Sequence, residues 1–353
     1  AISIFCVKFA SYVVQYREKQ GISKMPDRDI YEASDAVKAH WPMAEGKPIS
    51  GNDINGLGVA EKIPMTPVFW RPDGTVTHID VQNYFYQRDA DNERIREART
   101  MREETFSIPI NGLATEQEDR DPEEWSQLVK EAARSFGADA TGISAYRPEW
   151  TYKDRDQPAG KWAIVMGFAH DYAEMDGAPD DDAYIEVMRQ YARAGNAAKH
   201  LANWIQDRGH VAEGKVGPNT DDVLMIPAAI EAGLGELGKH GSIINRELGS
   251  NFRLSMVTTD LPVIPDKPDV FGADVFCESC QLCSSACPPD AIFREKQMVR
   301  GETKWYVDFD KCLPFFNEHN GCALCLAVCP WSIPDRAPVI AEKVARRRQR
   351  RAV

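Results

Sequence analysis

The chain has 353 residues, of which 43% are apolar and 27% charged, and its formal net charge is −12. This length predicts two or three domains, and the acidic balance disfavours nucleic-acid binding, which needs a basic face. No apolar stretch of about 18 residues occurs, so we expect no transmembrane helix and at most peripheral membrane contact. The first residues carry no export signal. We therefore expect a cytoplasmic protein, with removal of a signal before Ala1 left open.

The first third of the chain gives the fewest signals, and the fold and role of residues 1–120 are left open, as is the role of Cys6. Residues 64–80 predict short strands around a Pro-Asp-Gly turn. Residues 90–104 are charged and helical in pattern, which predicts a solvated helix.

The middle of the chain, residues 121–265, alternates helical and strand patterns, which predicts an α+β fold with an α/β core domain. An Asp-Pro pair favours a helix start at its N-terminal end. We predict helices at 125–136, 183–207 and 226–234, and strands at 140–144, 162–168 and 254–259.

Behind this core, residues 266–335 hold eight of the nine cysteines, and residues 336–353 form a basic tail. Six Lys and Arg residues lie between positions 343 and 351. Such a tail is typically a solvated end, and docking on an anionic membrane or partner is the alternative.

The cysteines form two runs, Cys277-x2-Cys280-x2-Cys283-x3-Cys287-Pro and Cys312-x9-Cys322-x2-Cys325-x3-Cys329-Pro. These spacings are typical of ferredoxins with two [4Fe–4S] clusters, in which the Cys before Pro reaches the other cluster. They predict cluster one on Cys277, Cys280, Cys283 and Cys329, and cluster two on Cys287, Cys312, Cys322 and Cys325. Zinc is the alternative, but it favours separated Cys pairs. The long x9 gap predicts that Cys312 precedes an inserted loop at 313–321.

A glycine-rich run from Ala232 to Gly241 precedes the cysteines. Because glycine lets the backbone approach a large cofactor closely, this run is a candidate cofactor site. The candidate residues are Gly233, Gly235, Lys239, His240 and Gly241. A helix end followed by a turn is the alternative interpretation.

Three segments, Ile226 to Gly241, Phe252 to Leu254 and Thr258 to Pro262, followed by the two cysteine runs, resemble the corrinoid-dependent reductive dehalogenases. The resemblance covers about residues 125–335. The related epoxyqueuosine reductases share the Ala-Gly-Leu-Gly turn and the double cluster, and a tRNA-modifying enzyme of that kind is one alternative. A non-catalytic iron–sulfur electron carrier is another.

The resemblance implies a nitroreductase-like core that holds base-off cobalamin, with a C-terminal ferredoxin-like module covering it. It implies an enzyme that replaces a carbon–halogen bond of an organohalide by carbon–hydrogen, using two electrons, one proton and a Co(I) corrinoid. We expect an external ferredoxin, flavodoxin or reductase to reduce cluster two first and cluster one second. No nucleic-acid partner is expected.

The resemblance also implies three catalytic residues. Tyr191 corresponds to the proton donor, and Arg253 to a neighbouring cation that favours the phenolate form. Asn219 corresponds to a polar residue of the site, with Lys215 as an alternative in the same loop.

Overall fold

The computed structural model of the chain describes residues 31–71, 74–217 and 222–351. Cys6 and Asn219 lie outside the described residues. The α-helices are α1 (Asp35–Ala39), α2 (Gly51–Asn55), α3 (Ile79–Gln87), α4 (Glu93–Glu104), α5 (Pro122–Ser135), α6 (Tyr172–Asp176), α7 (Asp181–Gln206), α8 (Met225–Glu231), α9 (Ala273–Ser279), α10 (Leu282–Ala286), α11 (Phe309–Glu318), α12 (Leu324–Ala327) and α13 (Arg336–Arg351). The strands are β1 (Met43–Ala44), β2 (Lys47–Pro48), β3 (Ala140–Ala145), β4 (Trp162–Ala169), β5 (Ala212–Val216), β6 (Glu236–Leu237), β7 (Ile243–Ile244), β8 (Phe252–Thr259), β9 (Gln297–Val299) and β10 (Glu302–Lys304).

The core is a four-stranded antiparallel sheet in the order β3-β4-β8-β5. Successive side chains of the central strand β4 point to opposite faces of the sheet. Helices cover both faces, so the strand is buried on both sides. Ile164 and Met166 pack towards α5 and α7, whereas Ala163 and Val165 pack towards α8. The predicted α+β class is confirmed, and each predicted core helix and strand forms within three residues of its predicted ends.

The N-terminal region packs on both the core and the cysteine module. Helix α4 lies against α7, and its residues Arg99 and Arg102 are buried. Arg99 donates a 2.8 Å hydrogen bond to the Tyr184 hydroxyl. The predicted solvated helix is therefore wrong for one face of α4, because a buried hydroxyl and backbone carbonyls accept the hydrogen bonds of Arg99.

The strands predicted over 64–80 are also wrong. The described parts of this segment contain no strand before α3 begins at Ile79. Pro64 and Pro67 have no backbone N–H to donate to a neighbouring strand. Val68 and Phe69 are nevertheless buried, so the segment packs without joining a sheet.

The C-terminal module corrects two further predictions. The segment after Cys312 is not a loop but part of helix α11, whose N-terminus is capped by Asp308 through a 3.1 Å bond from the Lys311 N–H. The basic tail is not simply a solvated end, since it forms α13 and buries Ala337 and Ala341. Over the described ranges, none of the helices has the length and hydrophobicity required to cross a bilayer.

Candidate redox site

The four cysteines predicted to bind cluster one lie on separate elements of the cysteine module. Cys277 lies on α9, Cys283 on α10, Cys280 between these helices, and Cys329 just after α12. All four line one small cavity. Burial raises the pKa of the Cys277, Cys283 and Cys329 thiols to about 12. Buried thiols of this kind become thiolates when a metal centre binds them.

The remaining four cysteines line a second, larger cavity of about 470 Å³. Cys312 lies on α11 and Cys325 on α12, while Cys287 follows α10. Cys322 and Ala323 adopt left-handed backbone conformations, with φ of 53° and 62°. This turn places Cys322 on the same cavity as the other three cysteines. The structure thus brings together the two sets of four that crossed ligation predicts.

Tyr191 and Arg253 meet at a third cavity, of about 260 Å³. Tyr191 projects from α7 and Arg253 from β8, and the guanidinium carbon lies 5.1 Å from the centre of the phenol ring. That distance is typical of a cation–π contact. The pairing predicted for these two residues is therefore present geometrically, and their catalytic roles stay a prediction.

The wall of this third cavity is aromatic and comes partly from the N-terminal region. Trp70, Phe85 and Tyr86 line it together with Phe316 of α11. The sequence analysis missed these four residues. The aromatic density of residues 69–86 was the available signal, but nothing in the sequence shows that this segment faces Tyr191.

The second and third cavities share several lining residues. Arg253, Phe316 and Cys322 line both of them. None of the four cluster-one cysteines lines the cavity that contains Tyr191. The cluster-two cysteines, and not those of cluster one, therefore border the candidate catalytic pair, which favours the reverse of the predicted electron order, and the order itself stays a prediction.

The glycine-rich run divides into two parts. A Cβ on Gly233 would lie 2.6 Å from the Lys267 carbonyl oxygen, and one on Gly235 would lie 2.0 Å from that of Ile244. These two glycines are required by close packing within the fold. The spacing of the run also matches Gly-x-Gly-x-x-Gly, but it follows helix α8, whereas a dinucleotide fingerprint follows a strand.

The second part of the run, residues 239–241, reaches both cysteine cavities. The Lys239 backbone N–H lies 3.5 Å from the Cys277 sulfur. The Lys239 side chain is 1% exposed, and its ammonium group lies 4.8 Å from the Trp305 ring centre, with no hydrogen-bond partner in the part of the chain that the structure describes. His240 lines both cavities, and burial lowers its pKa to about 4, so its imidazole is neutral. Gly241 lines the larger cavity.

Lys215, the alternative to Asn219, is held by other side chains. Its ammonium group lies 2.6 Å from both Glu213 and Asp222. It does not line the cavity that contains Tyr191. The geometry therefore gives Lys215 a structural ion pair and no contact with the candidate catalytic pair.

The comparisons with known proteins agree with this arrangement. Residues 276–333 match the family profile of a 4Fe-4S dicluster domain. The tetrachloroethene reductive dehalogenase of Dehalobacter restrictus is 30% identical over 270 residues, covering 60% of this chain and 48% of that protein. The chain is similar to the reductive dehalogenases. The resemblance predicted from the sequence is thus confirmed, as is the double [4Fe–4S] domain in place of zinc.

Two further similarities set the range of the comparison. A solved reductive dehalogenase, described as suggesting a mechanism for B12-dependent dehalogenation, has 26% identity and a TM-score of 0.63, covering 68% of this chain and 38% of that one. The epoxyqueuosine reductase of Burkholderia pseudomallei is 28% identical over 207 residues, covering 50% of this chain and 48% of that protein. The chain spans about half the length of the curated relatives it matches.

Proposed function

We propose that the chain is a reductive dehalogenase, which replaces a carbon–halogen bond of an organohalide by carbon–hydrogen. The observation that carries this proposal is the Tyr191–Arg253 pair in a cavity that also borders cluster-two cysteines. A proton donor and an electron relay therefore meet at one place. The similarity to tetrachloroethene reductive dehalogenases supports the same reaction class.

Two [4Fe–4S] clusters would bind where the cysteines converge. Cluster one uses Cys277, Cys280, Cys283 and Cys329, and cluster two uses Cys287, Cys312, Cys322 and Cys325. The donor set fits, because each cubane requires four thiolates and each cavity is lined by four cysteines. The fourth Cys of each run belongs to the other set, so the clusters lie side by side.

A corrinoid would lie between the core and the module, where several buried polar atoms have no partner among the described residues. His240, Gly241 and Arg253 line the larger cavity, and the buried Arg253 Nε has no partner among the described residues. Nearby, the buried side chains of His170 and Asn251 also have no described partner. Such orphaned polar atoms favour a polar ligand. When bound, the corrinoid supplies Co(I) as the reductant of the carbon–halogen bond, and the protein supplies orientation and charge.

Tyr191 donates the proton that the reaction consumes. The organohalide takes up two electrons and one proton, and it releases halide as the carbon–hydrogen bond forms. Arg253 faces the phenol ring and stabilises the phenolate that remains after donation. The aromatic wall of Trp70, Tyr86 and Phe316 excludes water, which strengthens this charge interaction.

Electrons enter from an external donor through cluster one and leave through cluster two. This order follows from the cavity linings, since Cys322 of cluster two lines the Tyr191 cavity. Cluster one lies behind it, next to Lys239 and Trp331. The donor is expected to be a ferredoxin, a flavodoxin or a reductase.

The proposal is tested with protein reconstituted anaerobically with iron, sulfide and cobalamin. About eight iron and one cobalt per chain are expected, from four iron per cubane. Halide release from tetrachloroethene and from a bromophenol, driven by reduced methyl viologen, supports a dehalogenase. Iron without corrinoid or halide release identifies an electron carrier instead. Conversion of epoxyqueuosine in a tRNA stem-loop without halide release identifies the epoxyqueuosine reductase alternative, which the net charge of −12 disfavours.

A further inference from the structure

Helix α13 has two chemically different faces. Its inner face buries Ala337, Ala341 and Val344. Its exposed side carries five basic side chains among the described residues, and Glu342 is the only acidic residue of the helix. The exposed basic residues are Arg336, Lys343, Arg346, Arg347 and Arg350.

The inner face forms part of the wall around cluster one. Ala337 and Ala341 belong to one buried cluster with Cys277, Cys329 and Trp331. Helix α13 packs on α9, the helix that carries Cys277. Beside Ala337 and Ala341 the outer face is therefore about one helix diameter, or 10 Å, from the cluster-one cysteines, and the helix continues about 14 Å further to Arg350.

Cluster one also approaches the surface beside this helix. Cys280 is partly exposed, and its neighbours Glu278 and Ser279 are exposed. Two apolar side chains are exposed on the paired helices, Val275 on α9 at 41% and Val339 on α13 at 45%. Exposed apolar groups beside charged ones are the composition of a protein interface, with an apolar centre and a polar rim.

The charge of α13 is opposite to that of the rest of the chain. The formal net charge is −12, so an acidic protein is repelled by most of this surface. A basic helix on such a molecule orients an acidic partner, because complementary potentials steer encounters and raise association rates.

We propose that the outer face of α13 docks an acidic one-electron carrier protein that reduces cluster one. The inference rests on the proposed function, since it names the surface through which electrons reach cluster one. With a flavodoxin as the carrier, one electron leaves the anionic flavin hydroquinone, which becomes the neutral semiquinone. The same electron reduces one cluster from the 2+ to the 1+ state.

A membrane surface fits this helix less well. An interfacial helix inserts its apolar face among lipids while its basic face contacts the head groups. The apolar face of α13 is already occupied, because Ala337, Ala341 and Val344 pack inside the module. The exposed face, with its basic side chains and Val339, is left for a partner, and its first turns lie next to the cluster-one cysteines.

The test compares the wild-type iron–sulfur protein with a variant that has lost four positive charges from the outer face of α13. The variant combines Lys343→Gln, Arg346→Gln, Arg347→Gln and Arg350→Gln, all at exposed positions. Reduced flavodoxin is mixed anaerobically with oxidised protein, and semiquinone formation is followed by stopped flow. The second-order rate constant is expected to fall at least about tenfold in the variant at low salt. Salt should slow the wild type steeply and the variant little.

A control variant makes the same change in charge outside residues 266–351. It replaces four other exposed basic residues by Gln, which are Lys47, Arg94, Arg96 and Arg134. Its rate with flavodoxin should stay within about twofold of wild type. Reduced methyl viologen, a small cation, should reduce all three proteins equally, which shows that the clusters themselves are unchanged.

Two results would overturn the proposal. One is an unchanged flavodoxin rate in the α13 variant. The other is an equal loss of rate in the control variant. Co-sedimentation of wild type with phosphatidylglycerol vesicles, lost in the α13 variant while its flavodoxin rate is unchanged, would assign the helix to a membrane. The readout is arrival of electrons at the clusters, so it does not depend on whether the protein releases halide.

Discussion

The two four-cysteine groups have the same ligand chemistry but different surroundings. The cluster-one group lines a small cavity closed by Lys239, Phe276 and Trp331. The cluster-two group opens into a cavity of about 470 Å³ whose lining includes Arg253. Cluster one is thus covered by a basic helix on the outer side, whereas cluster two faces the candidate catalytic pair.

This difference shows how one repeated motif can serve two tasks. The cysteine spacing determines that two cubanes form, but the neighbouring elements determine what each cubane exchanges electrons with. Helix α13 packs around cluster one. Helix α11 and the N-terminal region surround cluster two, since the Asp310 carboxylate accepts a 2.7 Å bond from the Gly51 N–H.

Breaking the crossed ligation should have the largest effect. Cys287→Ser and Cys312→Ser should both destroy cluster two. Cys329→Ser and Cys277→Ser should both destroy cluster one. Each variant should lose about four of eight iron and all dehalogenation. Iron analysis and EPR of the surviving cluster measure this.

The pairing of spectra is the decisive control. If the signal that survives in Cys287→Ser matches the one that survives in Cys277→Ser, the ligation is not crossed. The order of the clusters would then have to be reassigned.

Tyr191→Phe should have the next largest effect. The phenol hydroxyl is the proton donor, and general acid catalysis typically contributes 10²–10⁴-fold. Turnover should fall by about that factor, while iron and corrinoid contents stay at wild-type values. The measurement is kcat for halide release.

Tyr172→Phe is the matched control, because Tyr172 lies on α6 and does not line the Tyr191 cavity. Its kcat should be close to wild type. Full activity in Tyr191→Phe would remove the assigned proton donor and leave the site without one.

The sequence predicted some of this site well for identifiable physical reasons. The cysteine runs are local, so their spacing alone indicates a double cubane module. The core strand at Trp162 has a continuous apolar pattern, and the helix around Tyr191 has an amphipathic one. Both patterns predict the element that the structure shows. The sequence pattern predicts the secondary structure correctly where a segment buries the same face along its whole length.

Other features depended on contacts between distant segments and were not predictable. Arg99 is buried partly because the Tyr184 hydroxyl, 85 positions away, accepts a hydrogen bond from it. The position of Cys322 beside Arg253, on which the electron order depends, is set by the docking of the module on the core. The strands expected at 64–80 failed because prolines remove donors that the apolar pattern does not reveal.

Lys239→Met should lower the midpoint potential of cluster one. The ammonium group is buried near Trp305, and its backbone N–H faces Cys277. A nearby cation favours the reduced cluster, which carries one more negative charge. The expected shift is several tens of millivolts, where about 59 mV corresponds to tenfold for one electron. An EPR-monitored redox titration measures it.

Lys239→Arg retains the charge and should retain most of the potential. Cluster two should change less than cluster one in both variants, because Lys239 does not line the larger cavity. An equal shift of both clusters in Lys239→Met would contradict the separation of the two surroundings.

The smallest expected effect concerns acid stability on the cluster-two side. His78 is fully buried between Trp41 and Phe309, with ring centres 5.0 Å and 5.2 Å away. Burial lowers its pKa below the ordinary value of 6.5, and the charge of Asp310 opposes this only in part. Below about pH 6.5 the unfolded chain therefore binds more protons at this site than the folded protein does, so stability falls as the pH drops towards the depressed folded pKa.

His78→Phe keeps a ring in the same aromatic box and removes the titration. The fall in Tm between about pH 7 and pH 5 should be smaller in this variant than in wild type, by about 1–2 °C for each kcal/mol of linkage removed. His200→Gln is the control, because His200 is exposed and should leave the pH profile unchanged. His78 contacts α11, the helix that carries Cys312, so the acid-sensitive step should release the cluster-two signal before that of cluster one. Simultaneous loss of both signals would show that the regions around cluster one and cluster two unfold as a single unit. The two regions would then differ in electron transfer but not in stability.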